Sequence, residues 1–216
     1  MFLLFFMLLL NTVISVWNAH AVGRYWTERQ QLPSGTRFMM WCGAIMSVCG
    51  FFAVIVSLLT MIMHDLHAFE WLATTLFQME LEPADVELLV TNIFDLAYLA
   101  IIFPVLGTGI AITVNSWVIA NARRDWASAG VAAYNTGAQI YNTARAVRYI
   151  PQATRSLGKG FKLKLGKKSG KAIAYLILLL FPIIISLGSA IALTSIIMKA
   201  SDERYQLEDL QRAVLT

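Results

Sequence analysis

The sequence predicts an all-α fold, a polytopic membrane bundle of four transmembrane helices with an amphipathic cytosolic helix between the third and the fourth. Three observations predict it. Of the 216 residues, 58% are hydrophobic and 14% charged, with mean hydropathy +0.64, whereas a soluble domain is about half apolar and about a quarter charged. Four stretches are long and apolar enough to cross a bilayer, since a helix rises about 1.5 Å per residue and the hydrocarbon core is about 30 Å thick. Finally, the 17 lysines and arginines gather in some linkers and avoid another.

The first stretch runs from Phe2 to about Val22 and opens with MFLLFFMLLL. Ala19-His20-Ala21 resembles the small-residue cleavage site of a signal peptide, but no basic region precedes the apolar run, so a retained helix is expected. The second stretch, Phe38 to Met63, holds both cysteines, Cys42 and Cys49. Seven positions apart, they lie on one helical side as packing residues and fit neither a disulfide framework nor the C-x-x-C metal spacing.

The third stretch, Val90 to Ala122, would be roughly 50 Å long if straight, so it must tilt, kink or protrude. Pro104 removes a backbone hydrogen bond and is the expected kink, with Gly107-Thr108-Gly109 weakening the helix beyond it. Asp95 is the one ionisable residue near a span's interior. Such a residue is costly unless paired or hydrated and is a functional candidate by default, with Thr91 and Asn92 as its polar neighbours and Asn115 as a further polar position; if the span begins nearer Leu96, Asp95 is interfacial. The fourth stretch, Ala172 to Met198, is bounded by Lys171 and Lys199, contains Pro182, and offers Ser186, Ala190 and Thr194 as a close-packing face.

Orientation follows from the basic residues. The first linker holds Arg24, Arg29 and Arg37, the second (64–89) holds six acids and no lysine or arginine, and the third (123–171) holds eleven basic residues against Asp125 alone. The positive-inside rule then makes linkers one and three cytosolic and places the acidic linker and both termini outside the cell membrane. The chain divides accordingly into 1–122 (three membrane helices with the acidic external loop), 123–171 (a basic cytosolic helix and loop) and 172–216 (the fourth helix and an external tail).

Within the third linker, Trp126 to Ile150 is alanine-rich and reads as a helix stopped by Pro151. Trp126, Gly130, Ala133, Gly137, Ile140, Ala144 and Val147 recur at spacings of four and three and form one apolar stripe, flanked by the repeat Tyr134-Asn135-Thr136 and Tyr141-Asn142-Thr143. Small residues let a second helix approach closely, so Trp126, Ala133, Tyr134, Gly137, Ile140, Tyr141 and Ala144 are candidate helix-packing or partner contacts. The same stripe would also serve for packing on the chain's own bundle or lying among headgroups. Beyond Pro151, Lys159, Lys162, Lys164, Lys167, Lys168 and Lys171 alternate in part with Phe161, Leu163 and Leu165. That pattern suits anionic headgroups, each basic residue contributing about 1 kcal/mol, although a basic loop that only fixes topology would look the same.

Other chemistries lack their residues. Gly160 to Gly166-Lys167 has five residues between the glycines and a lysine after Lys167, so it fails the phosphate-loop pattern. The basic segment has no aromatic platform for nucleic acid. His64, Asp65, His67 and Glu70 do not match a metal signature, and three histidines at membrane edges suggest no nucleophilic triad. The sequence thus points, with no cofactor or metal, to a non-enzymatic structural or accessory subunit that associates with other membrane helices, or with itself, and with anionic lipid. The alternative is a homo-oligomeric channel or permeabilising protein lined by Asp95, Thr91, Asn115 or Ser116.

Overall fold

The computed structural model describes residues 2–165 and 169–215, and among these it contains six α-helices and no strand. They are α1 (Phe2–Gly23), α2 (Ser34–Asp65), α3 (Ala68–Phe77), α4 (Pro83–Arg123), α5 (Trp126–Leu165) and α6 (Ser169–Leu215). Three described helices are long and apolar enough to cross a membrane: Ser34–Asp65, Pro83–Arg123 and Ala172–Ala213. Each exceeds the expected span, because the apolar run continues into a helical extension with no breaker between them. Pro104 and Pro182 lie inside α4 and α6.

Two local expectations change. The acidic linker contains α3, set off by left-handed residues at His67 (φ 52°) and Gln78 (φ 50°). Pro151 does not stop α5, which continues to Leu165. A proline inside a helix forfeits only its own N–H bond and one close carbonyl approach, and bonds on both sides of Pro151, Tyr149 with Asp95 and Ser156 with Asn92, hold α5 to α4. The turn between α4 and α5 has two residues. Arg124 adopts φ 54° and its N–H bonds the Ala120 carbonyl at 2.9 Å. Asp125 then caps α5, accepting from the Ser128 N–H at 2.7 Å and the Ser128 hydroxyl at 2.8 Å.

The chain forms two compact units, residues 1–51, 103–144 and 190–216, and residues 52–102 and 145–189. In the first, α1 lies against α2, at whose middle the Asn11 amide donates to the Gly50 carbonyl at 3.3 Å. Gly50 is required by the approach: a Cβ there would stand 1.9 Å from Ser15 Oγ. Ala19, Val22, Met40, Ala44 and Met198 form a core that joins α1, α2 and α6, with Trp26, Leu32 and Ile197 packed on it. In the second unit the largest buried side chains are Val56 and Thr60 of α2, Phe69 of α3, Leu89, Asn92 and Ile93 of α4, and Leu178 and Leu179 of α6.

Polar residues are buried beside this apolar core, and large apolar side chains are left outside it. Ser15, Ser47, Thr60, Asn92, Asp95, Ser186 and Thr194 are buried, while Trp17 is 75% exposed and Phe5, Ile62, Ile184 and Ile196 are each more than half exposed. Serines inside helices remain compatible with this because they bond their own backbone, as Ser15 does to the Asn11 carbonyl at 2.7 Å and Ser47 to the Gly43 carbonyl at 2.9 Å.

Candidate functional site

Side chains that bond from helix to helix recur along α5, and the sequence of α5 explains where. Ser128, Ala132, Asn135, Gln139, Asn142, Ala146, Tyr149, Ala153 and Ser156 recur at spacings of four and three, and each is buried or half-buried. This seam is offset by two residues, roughly 200° around a helix, from the expected apolar stripe. All of Trp126, Ala133, Tyr134, Gly137, Ile140, Tyr141 and Ala144 are exposed, Trp126 at 93%.

In the first unit the seam meets α4 in antiparallel register. The Gln139 amide donates to the Leu106 carbonyl at 3.1 Å, the Asn135 amide to Ser116 Oγ at 2.6 Å, the Thr113 hydroxyl to the Asn135 carbonyl at 3.3 Å, and the Trp117 indole to Thr136 Oγ1 at 3.0 Å. Gly109 permits this closeness, since a Cβ there would lie 1.9 Å from Gln139 Oε1. The Gly-Thr-Gly run, expected as a weak point, is therefore where α5 seats.

In the second unit α5 is again bonded to α4. The Tyr149 hydroxyl donates to Asp95 Oδ1 at 2.6 Å, the Tyr98 and Tyr149 rings lie 4.0 Å apart, and the Arg145 guanidinium sits 5.6 Å over the Tyr98 ring. One turn away, the Asn92 amide donates to Tyr175 Oη at 2.6 Å and accepts from the Ser156 hydroxyl at 3.2 Å. Asn92 thereby ties α4 to both α5 and α6. Asp95 and Asn92 are buried, so a paired arrangement is the one such groups need.

Of the residues proposed for a polar intramembrane site, Asp95 bonds Tyr149 and Ser116 bonds Asn135, and Asn92, expected as a polar neighbour of Asp95, bonds Tyr175 and Ser156; Thr91 is exposed and Asn115 half-buried. Lys159 is exposed. Lys167 and Lys168 lie outside the described residues, as do the side chains of Lys162, Lys164 and Lys171. No group of three or more potential metal ligands occurs among the described residues, and His67 instead faces Glu70 at 3.3 Å. Sequence reasoning missed Tyr98, Tyr149, Ser156 and Tyr175. Asn135, Asn142, Tyr149 and Ser156 recur every seven residues, a signal present in the chain but outranked by the apolar stripe.

A second cluster, also missed, joins the end of α1 to α6 in the first unit. His20 Nδ1 lies 2.7 Å from Ser201 Oγ and its Nε2 3.1 Å from Tyr205 Oη, and the Arg24 guanidinium sits 4.7 Å over the Tyr205 ring. Beside them the Thr27 hydroxyl bonds Asp202 and accepts from the Gln206 amide at 3.2 Å. No sequence pattern links positions so far apart. Compared with protein-family models, curated proteins and solved structures, the chain finds no match.

Proposed function

We propose that the chain is a polytopic integral membrane protein of the cell membrane that serves as a non-enzymatic structural or accessory subunit. In this reading α1, α2, α4 and α6 supply four apolar spans, the exposed helix faces associate with other membrane helices, and the basic segment 159–171 meets anionic headgroups. One observation carries it: the polar side chains of the seam bond helix to helix, while large apolar side chains such as Trp17, Ile62 and Ile184 face outward. Membrane bundles are held by such small and polar contacts because burying apolar surface gains nothing against lipid. Asp95, Asn92, Asn135 and Gln139 are engaged with their neighbours, which suits joints between helices better than groups lining a lumen.

Native mass measurement after purification of the tagged full-length chain in mild detergent tests the role, with each co-purifying chain identified. The expected result is a complex containing at least one different membrane protein, retained when anionic lipid is supplied. A ring made of this chain alone that carries ionic current in planar bilayers, lost with Asp95→Asn, would overturn it in favour of a channel.

A further inference from the structure

We infer that α5 itself crosses the membrane beside α4, its polar seam turned to α4 and its apolar stripe to lipid acyl chains, so that the chain crosses five times. The inference rests on the membrane reading above and changes the side assigned to every segment after α5.

Connectivity requires it twice, once in each unit. In the first unit the segment after α1 touches the end of α6, through Thr27 with Asp202 and Gln206 and through Arg24 with Tyr205. If only α2, α4 and α6 cross between those segments, an odd number of passages puts them on opposite faces of the bilayer, about 30 Å apart. A passage by α5 returns them to one face. In the second unit the third turn of α4 and the second turn of α6 are joined by Asn92 and Tyr175, and nearer the helix starts Leu81 and Asp85 line a small cleft with Ala174 and Tyr175. Both helices therefore start from one face, which the chain reaches after α4 only by crossing back through α5.

The composition of α5 allows the passage. From Trp126 to Ala144 there is no Asp, Glu, Lys or Arg, a length of roughly 28 Å at 1.5 Å per residue, and Arg123 and Arg124 flank one end while Arg145 and Arg148 flank the other. Arginines at both ends can snorkel to opposite interfaces. Asn135 and Gln139 depress the mean hydropathy of this segment, yet both point into bonds with α4, and the outward Ile140 and Val147 are apolar. The adjoining half of α4 likewise exposes Phe103, Ile110, Val114 and Val118, so a watery location would leave two neighbouring apolar faces uncovered. In the second unit the acidic loop 64–89 and Lys159 then share one face, and in the first unit Arg24, Arg29, Arg123 and Arg124 share one face with Leu207.

The test uses the full chain in sealed vesicles, with Cys42→Ala and Cys49→Ala as background. Single cysteines replace Gln31, Arg123 and Leu207, or Glu82 and Lys159, and are labelled with an impermeant maleimide from either face; nitroxides are placed at Ile140 and, as a control on α6, at Ile184. The expected result is that the first three sites label from one face, the other two from the opposite face, and both nitroxides collide with oxygen in preference to a water-soluble nickel chelate. Labelling of Arg123→Cys and Lys159→Cys from the same face overturns the inference, as does a nickel-accessible label at Ile140 with Ile184 in lipid. A label at Ile140 shielded from both reagents also overturns it, since protein rather than lipid would cover the stripe. Nickel access at Ile184 as well would sink the membrane reading itself.

Discussion

Asp95 shows how a costly residue becomes a structural one. Its carboxyl is buried, and the Tyr149 hydroxyl reaches it at 2.6 Å from another helix. Removing that hydroxyl with Tyr149→Phe leaves the carboxyl short of a donor, and such losses cost about 1–3 kcal/mol. Denaturation of the detergent-solubilised chain should show that loss, with Asp95→Asn costing less because its amide oxygen still accepts from Tyr149. A Tyr149→Phe variant as stable as the parent would show that the pair holds nothing together. Asp125 supports a prediction about pH. The Ser128 N–H, and then the Ser128 hydroxyl, hold its carboxyl below the usual carboxylate range. The unfolded chain therefore binds the proton more readily, so the contribution to stability is complete above the ordinary value of about 4 and is lost as pH falls through the lower, folded value. Asp125→Asn, which keeps a capping oxygen but does not titrate, should flatten the acid limb of the stability profile; an unchanged limb would contradict this. At this scale Asp95 was legible in the sequence, as an acid inside an apolar run. Its partner was not, because Tyr149 lies in a different segment and a tyrosine there reads equally well as packing.

For the elements, spans are easier to read than faces. Apolar length fixes α2, α4 and α6, whereas the facing of α5 depends on the solvent around it. Water would turn Trp126, Ile140 and Val147 inward; lipid rewards the opposite, with the Asn135, Gln139, Tyr149 and Ser156 face turned to a neighbouring helix. A helical period therefore identifies two opposed stripes, and only the surroundings choose between them. Pro151 misleads for a related reason, since one missing N–H in a packed helix costs less than in an isolated one. The α4–α5 seat itself can be probed at its glycines. A side chain at Gly109 meets Gln139, while one at Gly107 meets nothing within 4 Å. With cysteines replacing Ser116 and Asn135, oxidative cross-linking should fall sharply on adding Gly109→Leu and stay unchanged on adding Gly107→Leu. Equal effects of the two would mean that Gly109 is not the seat.

For the molecule as a whole, composition sufficed to identify an all-helical chain with helices long and apolar enough to cross a membrane, because hydropathy is additive along the sequence. The joints between distant segments, His20 with Ser201 and Asn92 with Tyr175, depend on tertiary approach and leave no local trace. Charge counting gave an orientation on the premise that 123–171 stays on one side, and a crossing α5 divides those basic residues between two faces. The central claim is a bundle with polar seams inside and lipid outside, α5 included. The most direct test is a nitroxide scan of the full chain in lipid vesicles, one label at a time from Trp126 to Val147. Oxygen collisions should exceed nickel collisions at Ala133, Gly137, Ile140 and Ala144, with both suppressed at Ala132, Asn135, Gln139 and Ala146. Nickel collisions dominating at the first four positions would place α5 in water and contradict it.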